Sequence, residues 1–230
     1  MAILTEESRV TATEVASIGS MAEAAVGVAI IVLAIIGLAG IAVEPMIAIA
    51  TIIVGVALLM QGTETAAETT VMPAIVGASA GAGIMVEFLA GAAGIILGIL
   101  AFVKGSALTI APAALIVFGG ALLLGGIANS VSPVRTGAGP DASLGLIHQA
   151  RIGAAGAQVM IGFAVGILGI LAYALAGALA VNVHTLILVG LLAVGASLIL
   201  TSAAIGFPQF MGSRAQETTV VTPRGPFGGE

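Results

Sequence analysis

Apolar residues run through this chain in long unbroken blocks, not in alternation and not as one stripe of a helix. A spanning helix needs about 20 mostly apolar residues at about 1.5 Å rise each. Six blocks fit that demand: Met21–Val43, Met46–Gln61, Ile84–Val103, Thr109–Ala128, Ala154–Leu175 and Thr185–Ile205. The second is the shortest, and is expected to extend on its N-terminal side or to sit in a thinned region of bilayer. Continuous runs rich in Ala and Leu predict helix, whereas Gly is depleted in strands. The predicted fold is all-α and integral to a membrane, with six transmembrane helices.

The blocks group into three tandem helical hairpins related by a pseudo-threefold repeat. Met21-Ala-Glu23-x3-Gly27 aligns with Met85-Val-Glu87-x3-Gly91 at an offset of 64. The same offset sets Gly55–Gly62 on Gly119–Gly126, and a further shift of 71 sets Leu97-Gly-Ile-Leu-Ala-Phe102 on Leu168-Gly-Ile-Leu-Ala-Tyr173. That shift also carries Gly91 to Gly162 and Gly119 to Gly190. Each copy then holds two glycines 28 residues apart, Gly27 with Gly55, Gly91 with Gly119 and Gly162 with Gly190. The spacing suggests that the two helices of one hairpin touch there. All three hairpins start on one side, so the repeat axis would lie along the membrane normal. The resulting division is an N-terminal arm (1–20), hairpins at 21–70 and 71–128, a cytoplasmic loop (129–151), a third hairpin at 152–207 and a flexible C-terminal tail (208–230).

Glycine punctuates as well as packs. Gly40, Gly105 and Gly177 fit the ends of the first helix of each hairpin, and Pro45 and Pro112 fit the start of the second helix in the first two. Gly94-x3-Gly98 and Gly162-x3-Gly166 are pairs of small residues that let backbones approach closely.

Composition agrees with lipid as the solvent. Of 230 residues, 60% are hydrophobic and 7% charged, with a mean hydropathy of +1.25. A soluble domain carries about 25% charged residues. The net charge of −5 offers no footprint for nucleic acid. With no cysteine, disulfides and thiolate metal sites are excluded. Glu6, Glu7 and Glu14 against Arg9 make the N-terminus unlike a signal peptide, so the first span is expected to serve as an uncleaved insertion signal. Six spans put Arg9, Arg135, Arg151, Arg214 and Arg224 on one side and Lys104 on the other. The positive-inside rule then predicts both termini in the cytoplasm of a cell, or inner, membrane.

Candidate chemistry is sparse. Glu23, Glu87 and Gln158 hold equivalent repeat positions. An ionisable group within a span is costly and marks a site by default, so the three form a candidate proton or polar site. The competing reading puts each near the start of its helix, at headgroup level, where a carboxylate also interacts well with the helix dipole. His148 and His184 are each alone, and Lys104 reads as a snorkelling anchor. No Walker loop, HExxH or Gly-x-Ser-x-Gly elbow is present. No enzyme, catalytic residue, metal or cofactor is therefore expected. The bilayer is the expected partner, with self-association or a place in a larger membrane complex left open.

The repeated order of glycine, apolar run, turn with proline, apolar run and paired glycines, over Gly27–Gly62, Gly91–Gly126 and more loosely Gly162–Gly190, resembles the HdeD-like acid-resistance membrane protein family. The resemblance implies six inner-membrane helices in repeated hairpins and a structural or stress-related role. It supplies no site residues. A small transporter or channel for protons or a neutral solute is the alternative. Gly/Ala-rich hairpins also resemble the proteolipid subunits of rotary ATPase rings. Those carry a carboxylate deep in a second helix, which Met46–Gln61, Thr109–Ala128 and Thr185–Ile205 lack.

Overall fold

The computed structural model describes the backbone of residues 21–70, 78–131, 142–176 and 180–219, and side chains within 21–62, 85–128, 152–176 and 183–203. Among the described residues there are six α-helices and no strand: α1 (Met21–Leu38), α2 (Val43–Thr70), α3 (Ala78–Lys104), α4 (Ala107–Val131), α5 (Ala142–Leu175) and α6 (Ala180–Thr219). Every one contains a stretch long and apolar enough to cross a bilayer. The chain is a multi-pass membrane protein on that ground.

Five of the helices overrun their apolar blocks, whereas α1 stops at Leu38, short of the Val43 expected for it, because the chain turns at Gly40. α2 begins at Val43, so the short second span extends on its N-terminal side to cover Val43–Gly62, and the helix then continues through polar residues to Thr70. α6 continues to Thr219, so the tail expected to be flexible from 208 is helical up to that point. The loop expected at 129–151 is likewise trimmed from both ends, because α4 runs to Val131 and α5 starts at Ala142. The N-terminal arm (1–20), Gly177 and Arg135 lie outside the described residues.

Two turns show why glycine ends a helix here. Gly40 adopts φ +81° and Gly105 φ +57°, the left-handed region that costs a residue with a Cβ. At each, the glycine N–H reaches back three residues (to Gly37 and Phe102) and the next N–H reaches back five (Ile41 to Ile36, Ser106 to Ala101). That double bond is the Schellman closure, and it satisfies carbonyls a bilayer could not. Pro45 falls in the first turn of α2, where a missing N–H is harmless. Pro112 does not fit the expected place: α4 starts at Ala107, so the proline sits inside the helix and withdraws one ladder hydrogen bond.

Packing separates an inner from an outer set. Half of the span residues of α4 and α6 are buried (50%), against 22% in α1 and 28% in α5. α2, α4 and α6 touch one another, and their Val54, Leu58, Leu115, Phe118, Leu122, Ile187, Leu191 and Leu198 make up most of the centre. α1, α3 and α5 lie outside and expose large apolar side chains such as Val28, Phe88, Ile96, Phe102, Phe163 and Ile170. Water would be a poor solvent for that skin; hydrocarbon is a good one.

The expected glycine contacts form, but with other partners. A methyl added at Gly55 would come within 2.7 Å of the Gly91 carbonyl oxygen on α3, and one at Gly119 within 2.7 Å of the Gly162 carbonyl oxygen on α5. Gly27 faces Gly195 on α6, whose carbonyl oxygen would lie 2.8 Å from an added methyl. Contact within a hairpin, as the spacing suggested for Gly27 with Gly55, Gly91 with Gly119 and Gly162 with Gly190, is replaced by contact with the next helix along the chain, or between the last and the first. Gly190 faces the Leu115 side chain on α4, whose nearest atom would lie 2.9 Å from an added methyl. Gly94 lies against the Phe118 ring, Gly98 against Ile52 N and Ala48 O, and the Gly166 backbone against Gly119.

Candidate functional site

Polar side chains gather at one end of the bundle, the end where α1, α3 and α5 begin their apolar stretches and α2, α4 and α6 finish theirs. Two helical positions set this up. Glu23 on α1 lies level with Gln61 near the close of the apolar part of α2, because antiparallel neighbours bring the start of one to the end of the other. The Gln61 amide nitrogen donates to the Glu23 carboxylate.

Glu87 on α3 is the more deeply placed acid, with 5% of its surface exposed, and Gln158 on α5 has 4%. Both aim at the same spot, the bare backbone of Gly125 on α4. A methyl there would collide with the Glu87 carboxylate and lie 3.5 Å from the Gln158 amide nitrogen. Glycine at 125 therefore leaves the space that the two side chains fill. The Glu23 carboxylate is close enough to Glu87 for their charges to act on each other.

The structure bears on the helix-dipole part of the competing reading only, since Glu23 and Glu87 stand two residues past the start of their apolar stretches and Gln158 six. α3 starts at Ala78 and α5 at Ala142, so Glu87 and Gln158 lie well past the turn in which a helix dipole is felt. Nor does either side chain hydrogen-bond to any described residue. Buried and half-buried hydroxyls elsewhere in the bundle behave differently. Thr51 donates to the Ile47 carbonyl at 2.8 Å, Thr201 to Ser197 at 3.0 Å, and Ser202 to Leu198 and Ile199. A hydroxyl can be satisfied by its own helix in this way; an ionised carboxylate, which only accepts, cannot bond to helix carbonyls.

Gln61 escaped the sequence reading. It stands next to Gly62 at the end of an apolar run, where a polar residue looks interfacial. Its 38-residue distance from Glu23, which fits a short-turned hairpin folded back on itself, was the available signal. The remaining polar candidates lie elsewhere. Lys104 is exposed at the opposite end of α3, His184 is half-buried at the start of α6, and the His148 side chain lies outside the described residues. Among the described residues no three of His, Cys, Asp and Glu are grouped to hold a metal ion.

No family model, no curated protein and no solved structure matches this chain.

Proposed function

We propose that this chain is a non-enzymatic structural or stress-related component of a cell membrane, built as three tandem hairpins about a pseudo-threefold axis, with both termini in the cytoplasm. The observation carrying this reading is the apolar centre. Leu, Val, Ile, Phe and Ala side chains of α2, α4 and α6 close on one another, and the polar cluster is confined to one end. Among the described residues the buried polar side chains beyond that cluster are the hydroxyls of Thr51, Ser197 and Ser202, and those of Thr51 and Ser202 donate to carbonyls of their own helices. The glycine contacts support the pseudo-threefold arrangement, since three sites of the same kind link α2 to α3, α4 to α5 and α6 to α1. The acid-stress part rests on the resemblance to the HdeD-like family; self-association or membership of a larger complex is compatible with the apolar skin.

The test is reconstitution into liposomes carrying an internal pH dye. Under an imposed proton gradient, wild-type protein and Glu87→Gln should both leave the gradient intact. Cells lacking the protein should lose survival in acid, and Glu87-independent rescue would fit a structural role. The second reading, a small proton transporter, is favoured by the burial of Glu87 beside the Glu23 carboxylate. Proton flux present in wild type and absent in Glu87→Gln would establish it in place of the first.

A further inference from the structure

We propose that the outer rim of the junction between α4 and α5 is a docking surface for a second copy of this chain, with Phe163 of each copy seated in the hollow over Gly120 and Gly166 of the other. It rests on the pseudo-threefold junctions of the reading above and not on its stress role, which the flux and survival assays test separately from pairing.

The three glycine junctions share one plan. Gly55, Gly119 and Gly195 each pack on a glycine of the facing helix and on the residue four places after it: Gly91 and Ile95, Gly162 and Gly166, Gly27 and Ile31. Two junctions thus carry isoleucine where the one between α4 and α5 carries Gly166. One residue on from the first glycine stand Val56, Gly120 and Ala196; one residue on from the second stand Ala92, Phe163 and Val28. At the α4–α5 junction two of the three side chains are therefore absent and the third is a phenyl ring. Backbone packing does not require these two glycines. A methyl added at Gly120 or Gly166 would meet nothing within 4 Å, whereas one at Gly119 or Gly162 would strike facing backbone. Around them project exposed side chains: Ile116 and Leu124, one turn either side of Gly120, and Phe163 and Ile170, one turn either side of Gly166. The result is a hollow in the skin. Gly120 lies eight residues before Ala128 and Gly166 nine before Leu175, which puts it about 12 Å inside the apolar layer at about 1.5 Å per residue.

Lipid tails are as apolar as leucine, so an apolar face alone does not join helices in a bilayer; fit does. Copies of one chain insert with the same orientation. A pair is then related by a two-fold axis along the membrane normal, and a knob meets a hole only at its own depth. Phe163 and Gly120 satisfy that condition. Gly119 packs on Gly162 and Gly166, so the two lie level to within about one helical turn. In an antiparallel pair, one residue on from each contact also turns to the same side, so the ring and the hollow share a face. Rotation about the axis sets α5 of one copy opposite α4 of the other, which brings Phe163, 58% exposed, to the bare backbone of Gly120 twice over. An aromatic anchor in a pocket is a common centre of an interface. The area suffices as well. Ile116, Leu124, Ile127, Phe163, Ile167 and Ile170 are 37–59% exposed. At roughly 150–200 Å² for a whole side chain of that size they bring on the order of 500 Å² per copy, and two copies about 1,000 Å², where specific interfaces begin.

The experiment is energy transfer between donor- and acceptor-tagged copies of the full chain in vesicles, followed as added lipid dilutes the protein. Expected is transfer at the level of a dimer, falling reversibly on dilution. Phe163→Ala removes the knob and Gly166→Ile fills the hole, and each should weaken association roughly tenfold or more. Val28→Ala, at the corresponding place on α1, should leave it unchanged. Circular dichroism and Tm verify that each variant is folded. Phe163→Ala shortens an exposed side chain and keeps the test decisive should Gly166→Ile fail to fold. Wild-type transfer no greater than random mixing gives overturns the proposal and leaves the hollow to an acyl chain or to a different protein. So does a dimer whose affinity survives both folded variants, since its interface would lie on another face.

Discussion

Gly125 and Gly120 lie on the same helix, five residues apart, and the difference between them says what glycine is for in this bundle. At Gly120 an added methyl meets nothing within 4 Å; at Gly125 it meets the Glu87 carboxylate. Alanine is the better helix former by about 1 kcal/mol. Gly120→Ala should therefore leave Tm in detergent unchanged or slightly raised. Gly125→Ala should lower it by the equivalent of about 1–3 kcal/mol, the usual cost of overpacking, unless the flexible end of Glu87 swings aside. Paired with Glu87→Ala, which removes the carboxylate the new methyl would strike, the Gly125→Ala loss should shrink, and a double-mutant cycle reads the coupling directly. Of this site, Glu87 and Gln158 were legible in the sequence because a polar residue recurs at one repeat position in otherwise apolar helices. Gln61 was not, because nothing in a single run of residues tells which side of a helix end faces inward.

Among the helices, the decisive contacts are backbone against backbone. The neighbours of Gly55, Gly119 and Gly27 include carbonyl oxygens or amide nitrogens of the facing helix at under 3 Å from a hypothetical methyl. Those atoms belong to a rigid ladder and cannot turn away as a leucine tip can. Gly55→Val or Gly119→Val should thus force two helices apart. The expected readout is a loss of more than about 1–3 kcal/mol, seen as a fall in Tm well beyond that of Gly190→Val, whose neighbour is the movable side chain of Leu115. The recurrence of 28 residues between glycines was visible in the chain, yet it could not identify the partner. A residue facing the other arm of its hairpin and one facing the following helix share the same spacing. They differ only in rotation about the helix axis, which a helix apolar on every side does not reveal. Every helix but α1 was also read too short, since a bilayer dictates where apolar residues are needed and says nothing about how far a helix extends into water; α1 was read past the turn at Gly40 because the residues beyond it are apolar too.

For the molecule as a whole, α1 and α6 are neighbours in space though they stand at opposite ends of the fold. Gly37 on α1 faces Leu188 on α6, whose nearest atom would lie 2.7 Å from an added methyl. Because the chain has no cysteine, a double variant Gly37→Cys with Leu188→Cys offers a clean test. With a protease site cut into the 132–141 segment, the two fragments should stay joined on a non-reducing gel after mild oxidation and separate on reduction. Failure of the bond to form would mean that the first and last helices do not adjoin. The six spans themselves were the most legible feature, since hydrocarbon leaves a chain few alternatives. The protein should accordingly sediment with membranes and resist extraction by high salt or alkaline carbonate.

The adjacency of the first and last helices has a bearing on biogenesis. Translation is vectorial, so α1 enters the bilayer with its Gly27 face bare and must wait until Gly195 has been polymerised. At about 5–20 residues per second, that delay is roughly 10–30 s. During it the groove of α1 is open to lipid tails, to an insertase or to a sister chain, and the emergence of α6 is what ends the competition.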